Sequence, residues 1–180
     1  MSDSKHGNPI PQLLVTEAIR QLQNKYDGMT DRDKHVYAQV FNLGKKPGFA
    51  MASQLCRSGL DYETAEDACK FISTKFSLAV FGVQAKLNFN GSEKTFQLQF
   101  TDKLPSWFGS LVVPGKQNQQ HDFWIKAYAH FLSGVYSGAL LHFGYKSTLD
   151  NAFEEKAGKP FCLGFHFEEL TGTWEFSSNY

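Results

Sequence analysis

No run of about 18 uninterrupted apolar residues occurs, which is the length a membrane-spanning helix needs. Any membrane contact is therefore expected to be peripheral. Cysteine is scarce. Cys56, Cys69 and Cys162 are odd in number, widely separated, and form neither a CxxC pair nor a metal-ligand spacing. A disulfide framework is not the expected organising principle, and a reducing compartment is the expectation. Net charge is also missing, because 18 basic residues offset 18 acidic ones. A broad phosphate-binding surface needs a basic excess, so nucleic acid is not an expected partner. The opening "MSDSKHGNPIPQ" lacks the apolar core of a signal peptide. The reading is a cytoplasmic protein, with residues 1–10 as a polar lead.

Chemical motifs are absent too. There is no P-loop, no HExxH, no EF-hand loop and no GxGxxG after a strand. The six histidines stand in no nucleophile or base motif, and His130 and His142 are too far apart on one helix to share a metal ion. Cys69 falls in an amphipathic helix and Cys162 on a strand, where inert core thiols are the expectation. No catalytic, cofactor or metal residue is assigned.

What the chain does contain is aromatic and apolar surface, including 17 phenylalanines. It also contains an energetic oddity, the helix-length stretch "FLSGVYSGALLHFGYKS" with Gly134 and Gly138 in its middle. Each glycine costs a helix roughly 0.5–1 kcal/mol relative to alanine. Small residues four apart lie on one face and let another backbone approach, a steric argument that holds in water as in lipid. Their neighbours Phe131, Val135, Leu140 and Leu141 are too apolar for solvent, so close helix packing is predicted. Gly44 and Gly48 repeat the spacing in "GKKPGFAMASQLC".

Periodicity organises the rest. Leu14, Ala18, Ile19 and Leu22 form one stripe of a helix that starts at Pro11 and stops near Asp27-Gly28. A second helix begins at Thr30 or Asp31 and carries Val36, Val40 and Phe41 toward Gly44. Pro47 predicts a break over Gly44–Lys46 and a new helix through Arg57. A further helix starts in the stretch Asp61–Thr64 and ends at Gly82. The period then drops to two. Leu87 and Phe89, the turn dipeptide Asn90-Gly91, and Phe96, Leu98 and Phe100 predict a β-hairpin with an aromatic inner face. Residues 101–120 read as a loop in which "GSLVV" forms a short strand. A long helix over His121–Phe143 and strands at Ser147–Glu155 and Pro160–Glu169 complete one domain over 11–170, with 171–180 as a tail. The layout is α+β, with helices packed on one face of a small antiparallel sheet.

Three stretches, in order, resemble the small subunits of the transport protein particle, TRAPP. They are "LGKKPGFAMASQL", "CKFISTKFSLAVFGVQAKL", and "FLSGVYSGALLHFGYKSTL" followed by "GKPFCLGFHFEE". Gly44 and Gly48 stand at matching positions of the family's early G-x-x-x-G helix. The resemblance implies a twisted four-stranded antiparallel sheet against helices and a non-enzymatic subunit of a vesicle-tethering complex. It further implies pairing with sister TRAPP subunits, support of nucleotide exchange on a Rab-type GTPase, and a peripheral place at ER and cis-Golgi membranes. One branch of the family carries an acylated cysteine just ahead of an Asp-aromatic pair. Leu60 precedes Asp61-Tyr62 here, which favours the non-acylated types called subunit five or six. The expected subunit interface comprises Leu14, Ala18, Leu22, Val36, Val40 and Phe41. The alternative is a sensor domain of the same superfold holding haem or lipid, with His130 or His142 as the ligand.

Overall fold

Val36, Val40, Gly44, Gly48 and Ala52 recur every fourth residue and are all buried. Residues at this spacing stack on one helix face, and that face positions everything else. The computed structural model describes residues 12–56, 62, 64–100, 119–152 and 161–170. The elements are α1 (Gln12–Lys25), α2 (Arg32–Leu55), α3 (Ala65–Phe71), a π-helical turn (Ile72–Phe76) and α4 (Ser77–Phe81). They continue with β1 (Lys86–Asn90), β2 (Thr95–Phe100), α5 (Gln119–His142), β3 (Tyr145–Ala152) and β4 (Phe161–Glu169). The expected lead, the "GSLVV" strand and the tail lie outside the described residues.

The expected break at Gly44–Lys46 does not occur: α2 runs unbroken with Pro47 inside it. The proline leaves the Leu43 carbonyl without its helical donor. Leu43 is 44% exposed and Pro47 half-buried, so both lie on the open side, where water can reach that carbonyl. The opposite side packs against α5, and this tertiary contact outweighs the local penalty. Asp31 is the N-cap residue of α2 but makes no side-chain cap bond; its carboxylate instead lies 3.2 Å from Lys34 Nζ.

Thr64 starts α3 by accepting from the Asp67 N–H at 3.2 Å, while its hydroxyl donates to the Asp67 carboxylate at 2.6 Å. The π turn then widens the helix, and the Ser73 carbonyl accepts from Ala85 N–H at 2.9 Å, just before β1. Gly82, at φ +70°, ends α4 in the left-handed conformation that glycine adopts without strain.

The sheet order is β1-β2-β4-β3, antiparallel throughout. Phe96, Leu98, Phe100, Phe161, Leu163, Phe165 and Phe167 are buried on its inner face. Phe96 and Phe165 are cross-strand partners whose rings stack at 4.7 Å. The β1–β2 turn differs from the expected tight Asn-Gly turn. Asn90 still pairs with Thr95, and its Oδ1 accepts from Ser92 Oγ and Glu93 N–H across a four-residue connection. The left-handed residue is Lys94, at φ 52°. Asn90 thus acts from the strand end as a turn-forming side chain.

Every residue from Phe131 to Leu140 is buried, because α5 lies between α2 and the β3 side of the sheet. A helix apolar on all sides belongs in such a place. Three of its buried polar side chains find partners inside, while the Ser133 hydroxyl has no hydrogen-bond partner among the described residues. Tyr136 shares a hydrogen bond with Ser77 at 2.7 Å, and Ser137 donates to the Ser147 carbonyl at 3.0 Å. Tyr128 shares one with Thr16, which ties α1 to the same helix.

Candidate subunit interface

The two glycine pairs face each other. A Cβ built on Gly134 would lie 2.0 Å from the Phe41 carbonyl oxygen and 3.2 Å from Gly44 Cα. One on Gly138 would meet the Lys45 carbonyl oxygen at 2.0 Å. From the other side, Gly44 would meet the Phe131 carbonyl at 2.4 Å and Gly48 the Val135 carbonyl at 2.0 Å. The α2 and α5 backbones are therefore in direct contact, closer than any pair of side chains permits. All four glycines serve packing within the chain.

That contact consumes the inner face of α2 and leaves its outer face open beside α1. The six expected interface residues divide accordingly. Val36 and Val40 are fully buried, so their apolar surface is already used in the chain's own core and is not open to another subunit. Phe41 is half-buried and lines a separate recess of about 390 Å³ with Tyr37, His130 and Leu149; Lys45 Nζ sits 4.9 Å from its ring centroid. Leu14, Ala18 and Leu22 remain, on one wall of an open groove of about 690 Å³. Leu14 is 66% exposed.

The opposite wall comes from Gln39, Asn42, Leu43 and Lys46 of α2, with Pro47 beside them. These first four positions follow the i, i+3, i+4, i+7 pattern of one helical face. The signal was in the sequence, but a predicted break at Gly44 cuts the pattern in half. The α1 stripe also divides: Val15 and Ile19 are buried while Leu14 projects outward.

The remaining titratable groups are placed by burial. Cys69 is fully buried and its thiol is pushed up to about 12, first by burial and then by Glu66. Burial also raises Cys56, against a smaller lowering by Lys75, and raises Cys162. All three thiols stay protonated at neutral pH, the opposite of an activated nucleophile. No cluster of three or more His, Cys, Asp or Glu that could hold a metal occurs among the described residues.

His130 Nδ1–H donates to the Lys126 carbonyl at 2.7 Å, and its ring stacks on Tyr37 at 4.7 Å. Its pKa is lowered, chiefly by burial, with the Lys126 carbonyl opposing and the Lys126 charge adding. Burial lowers His142 as well. Both rings are neutral in the fold where the unfolded chain would already bind protons. Stability is thus full above the ordinary histidine pKa of about 6.5 and drains as pH falls from there to the lowered values. Melting temperature is expected to fall between pH 7.5 and 5.5, and His130→Gln to fall less steeply. Parallel pH profiles for the two proteins would refute the assignment.

Helices on one face of a four-stranded sheet, with a glycine-locked helix pair and an exposed helical groove, define a small α+β domain. The family model described as transport protein particle (TRAPP) component matches residues 11–160, and the chain belongs to this family of vesicle-tethering complex subunits. The fold matches the crystal structure of a trafficking protein particle complex subunit 3 from Naegleria fowleri covalently bound to palmitic acid. The TM-score is 0.64 at 17% identity, over 88% of this chain and 95% of that one. No curated protein matches the sequence. Among the described residues, no helix is long and apolar enough to cross a membrane.

Proposed function

We propose that the chain is a non-catalytic structural subunit that pairs with a sister TRAPP subunit through the α1–α2 groove. Within the assembled particle it supports nucleotide exchange on a Rab-type GTPase, peripherally at ER and cis-Golgi membranes. The observation that carries the pairing is the groove itself. Leu14 and Leu43 leave large apolar surface in water on facing helices, with no further element of the described chain laid over it. Exposed apolar side chains gathered in one groove, unlike the singly exposed Met29 and Leu78, are the feature a contact site requires.

Acylation is not part of this reading. The related subunit 3 structure carries palmitate covalently, but Leu60 stands where the resembled motif places its cysteine. Cys56, a turn earlier, has its thiol raised by burial. This supports the subunit five or six type.

Size-exclusion chromatography with light scattering tests the proposal. The pure chain, mixed with each of the other TRAPP small subunits of its organism, is expected to yield a stable 1:1 or larger complex with at least one. A chain that stays monomeric with all of them is not a subunit of this particle.

A further inference from the structure

The groove that the subunit reading assigns to a partner has a charge pattern that chooses the partner. Its lining holds two lysines, Lys25 and Lys46, three amides, Gln21, Gln39 and Asn42, and no carboxylate. Lys25 lies in the last turn of α1, at the end of the groove nearest the α1–α2 connection. Lys46 lies deep in α2, toward the opposite end. Neither has an acidic partner among the described residues, whose ion pairs are Arg20–Glu17, Arg32–Asp27, Arg32–Asp33, Lys34–Asp31 and Lys70–Glu66. Glu17, the nearest carboxylate on α1, is held by Arg20 at 3.0 Å and accepts from Gln21 at 3.3 Å. The apolar part of the lining comes from Leu14, Ala18 and Leu22 on the α1 wall and Leu43 on the α2 wall.

We infer that the groove receives an amphipathic helical face of a sister chain whose apolar ridge is flanked by carboxylates, and that it rejects a second copy of itself. A groove between two helices accepts a helix through anchors at i, i+3, i+4 and i+7. Each end of this groove presents an ammonium with no acidic partner among the described residues, that of Lys25 lying 5.4 Å from the Tyr26 ring centroid. Groove-to-groove pairing of two copies would therefore set lysine against lysine in either relative orientation. Like charges opposed across an interface exclude a partner, and opposite charges at the rim speed and orient the right one. The inference rests on the subunit reading but adds a condition that can fail by itself.

The test uses the full chain, the double variant Lys25→Glu/Lys46→Glu, and the sister TRAPP small subunits purified singly. Both lysines are exposed, so the variant is expected to melt like the parent. The parent alone should be monomeric by light scattering. Its complex with a sister subunit should weaken as salt rises from 50 to 500 mM, by screening of the rim charges. The double variant should bind that subunit about tenfold more weakly, with the salt dependence lost or reversed. A complex indifferent to both the lysines and salt overturns this inference and leaves the subunit reading standing. A parent homodimer that Leu14→Asp dissociates overturns it too. Failure to pair with any sister subunit overturns the subunit reading itself.

Discussion

Gly134→Ala is expected to lower the melting temperature by about 6–12 °C, although alanine is the better helix former. The added Cβ would sit 2.0 Å from the Phe41 carbonyl oxygen, a main-chain atom of α2 that cannot rotate away. The gain in helix propensity is only roughly 0.5–1 kcal/mol. Overpacking typically costs about 1–3 kcal/mol and more where the neighbour is rigid, so a net loss of about 3 kcal/mol is expected. For a chain of 180 residues each kcal/mol shifts the midpoint by about 2–4 °C. Gly138→Leu, against the Lys45 carbonyl, should lose at least as much. Ala50→Leu, on the exposed side of α2, is the control and should stay within about 0.5 kcal/mol of the parent. Gly44→Ala combined with Gly134→Ala should cost less than the sum, because one separation of the helices makes room for both methyl groups. Thermal melts of the parent and the five variants, Gly44→Ala alone included, decide the matter. A Gly134→Ala protein that melts with the parent would mean that α2 and α5 are not in backbone contact.

This contact shows what a sequence can carry. Two glycines four apart in an apolar helix state a steric requirement, and the second pair in α2 states the complementary one. No side chain is needed to read either. The hairpin and β4 were legible for a related reason, since an alternation of Phe and polar residues has one consistent placement, aromatic side inward. Pro47 misled because its penalty is local while the forces that keep α2 continuous are not. The face Val36, Val40, Gly44, Gly48 and Ala52 is buried along the helix, and a few kcal/mol of local cost cannot outweigh it. The error propagated to the interface. Once α2 is divided, Gln39, Asn42, Leu43 and Lys46 no longer read as one face, and the groove loses a wall. The α1 stripe failed in a different way. Leu14 and Ile19 both looked apolar and helical, but only the packing of α1 on α2 and α5 decides which is covered. Periodicity identifies an apolar face, and tertiary structure decides whether the same chain or another one buries it.

That distinction yields the second large effect. Leu14→Asp and Leu43→Asp are each expected to weaken sister-subunit binding by two to three decades while leaving the fold intact. A buried leucine contributes about 1.5–3 kcal/mol, and burying an unpaired carboxylate in its place adds at least 1–2 kcal/mol more. The sum of about 2.5–5 kcal/mol brackets the roughly hundred- to thousandfold change in Kd. Folding is spared because Leu14 is already 66% and Leu43 44% exposed in the free chain. At position 14 the substitution is even favourable locally. The first turn of α1 holds no acidic residue, and a negative charge there complements the helix dipole. Val36→Asp and Val40→Asp are the opposite case. Both positions are fully buried, so a charge there destabilises the domain itself and abolishes binding only by unfolding it. Light scattering of each variant with the sister subunit, read beside its melting curve, separates an interface from a core. A Leu14→Asp protein that binds as the parent does would move the partner surface off the α1–α2 groove.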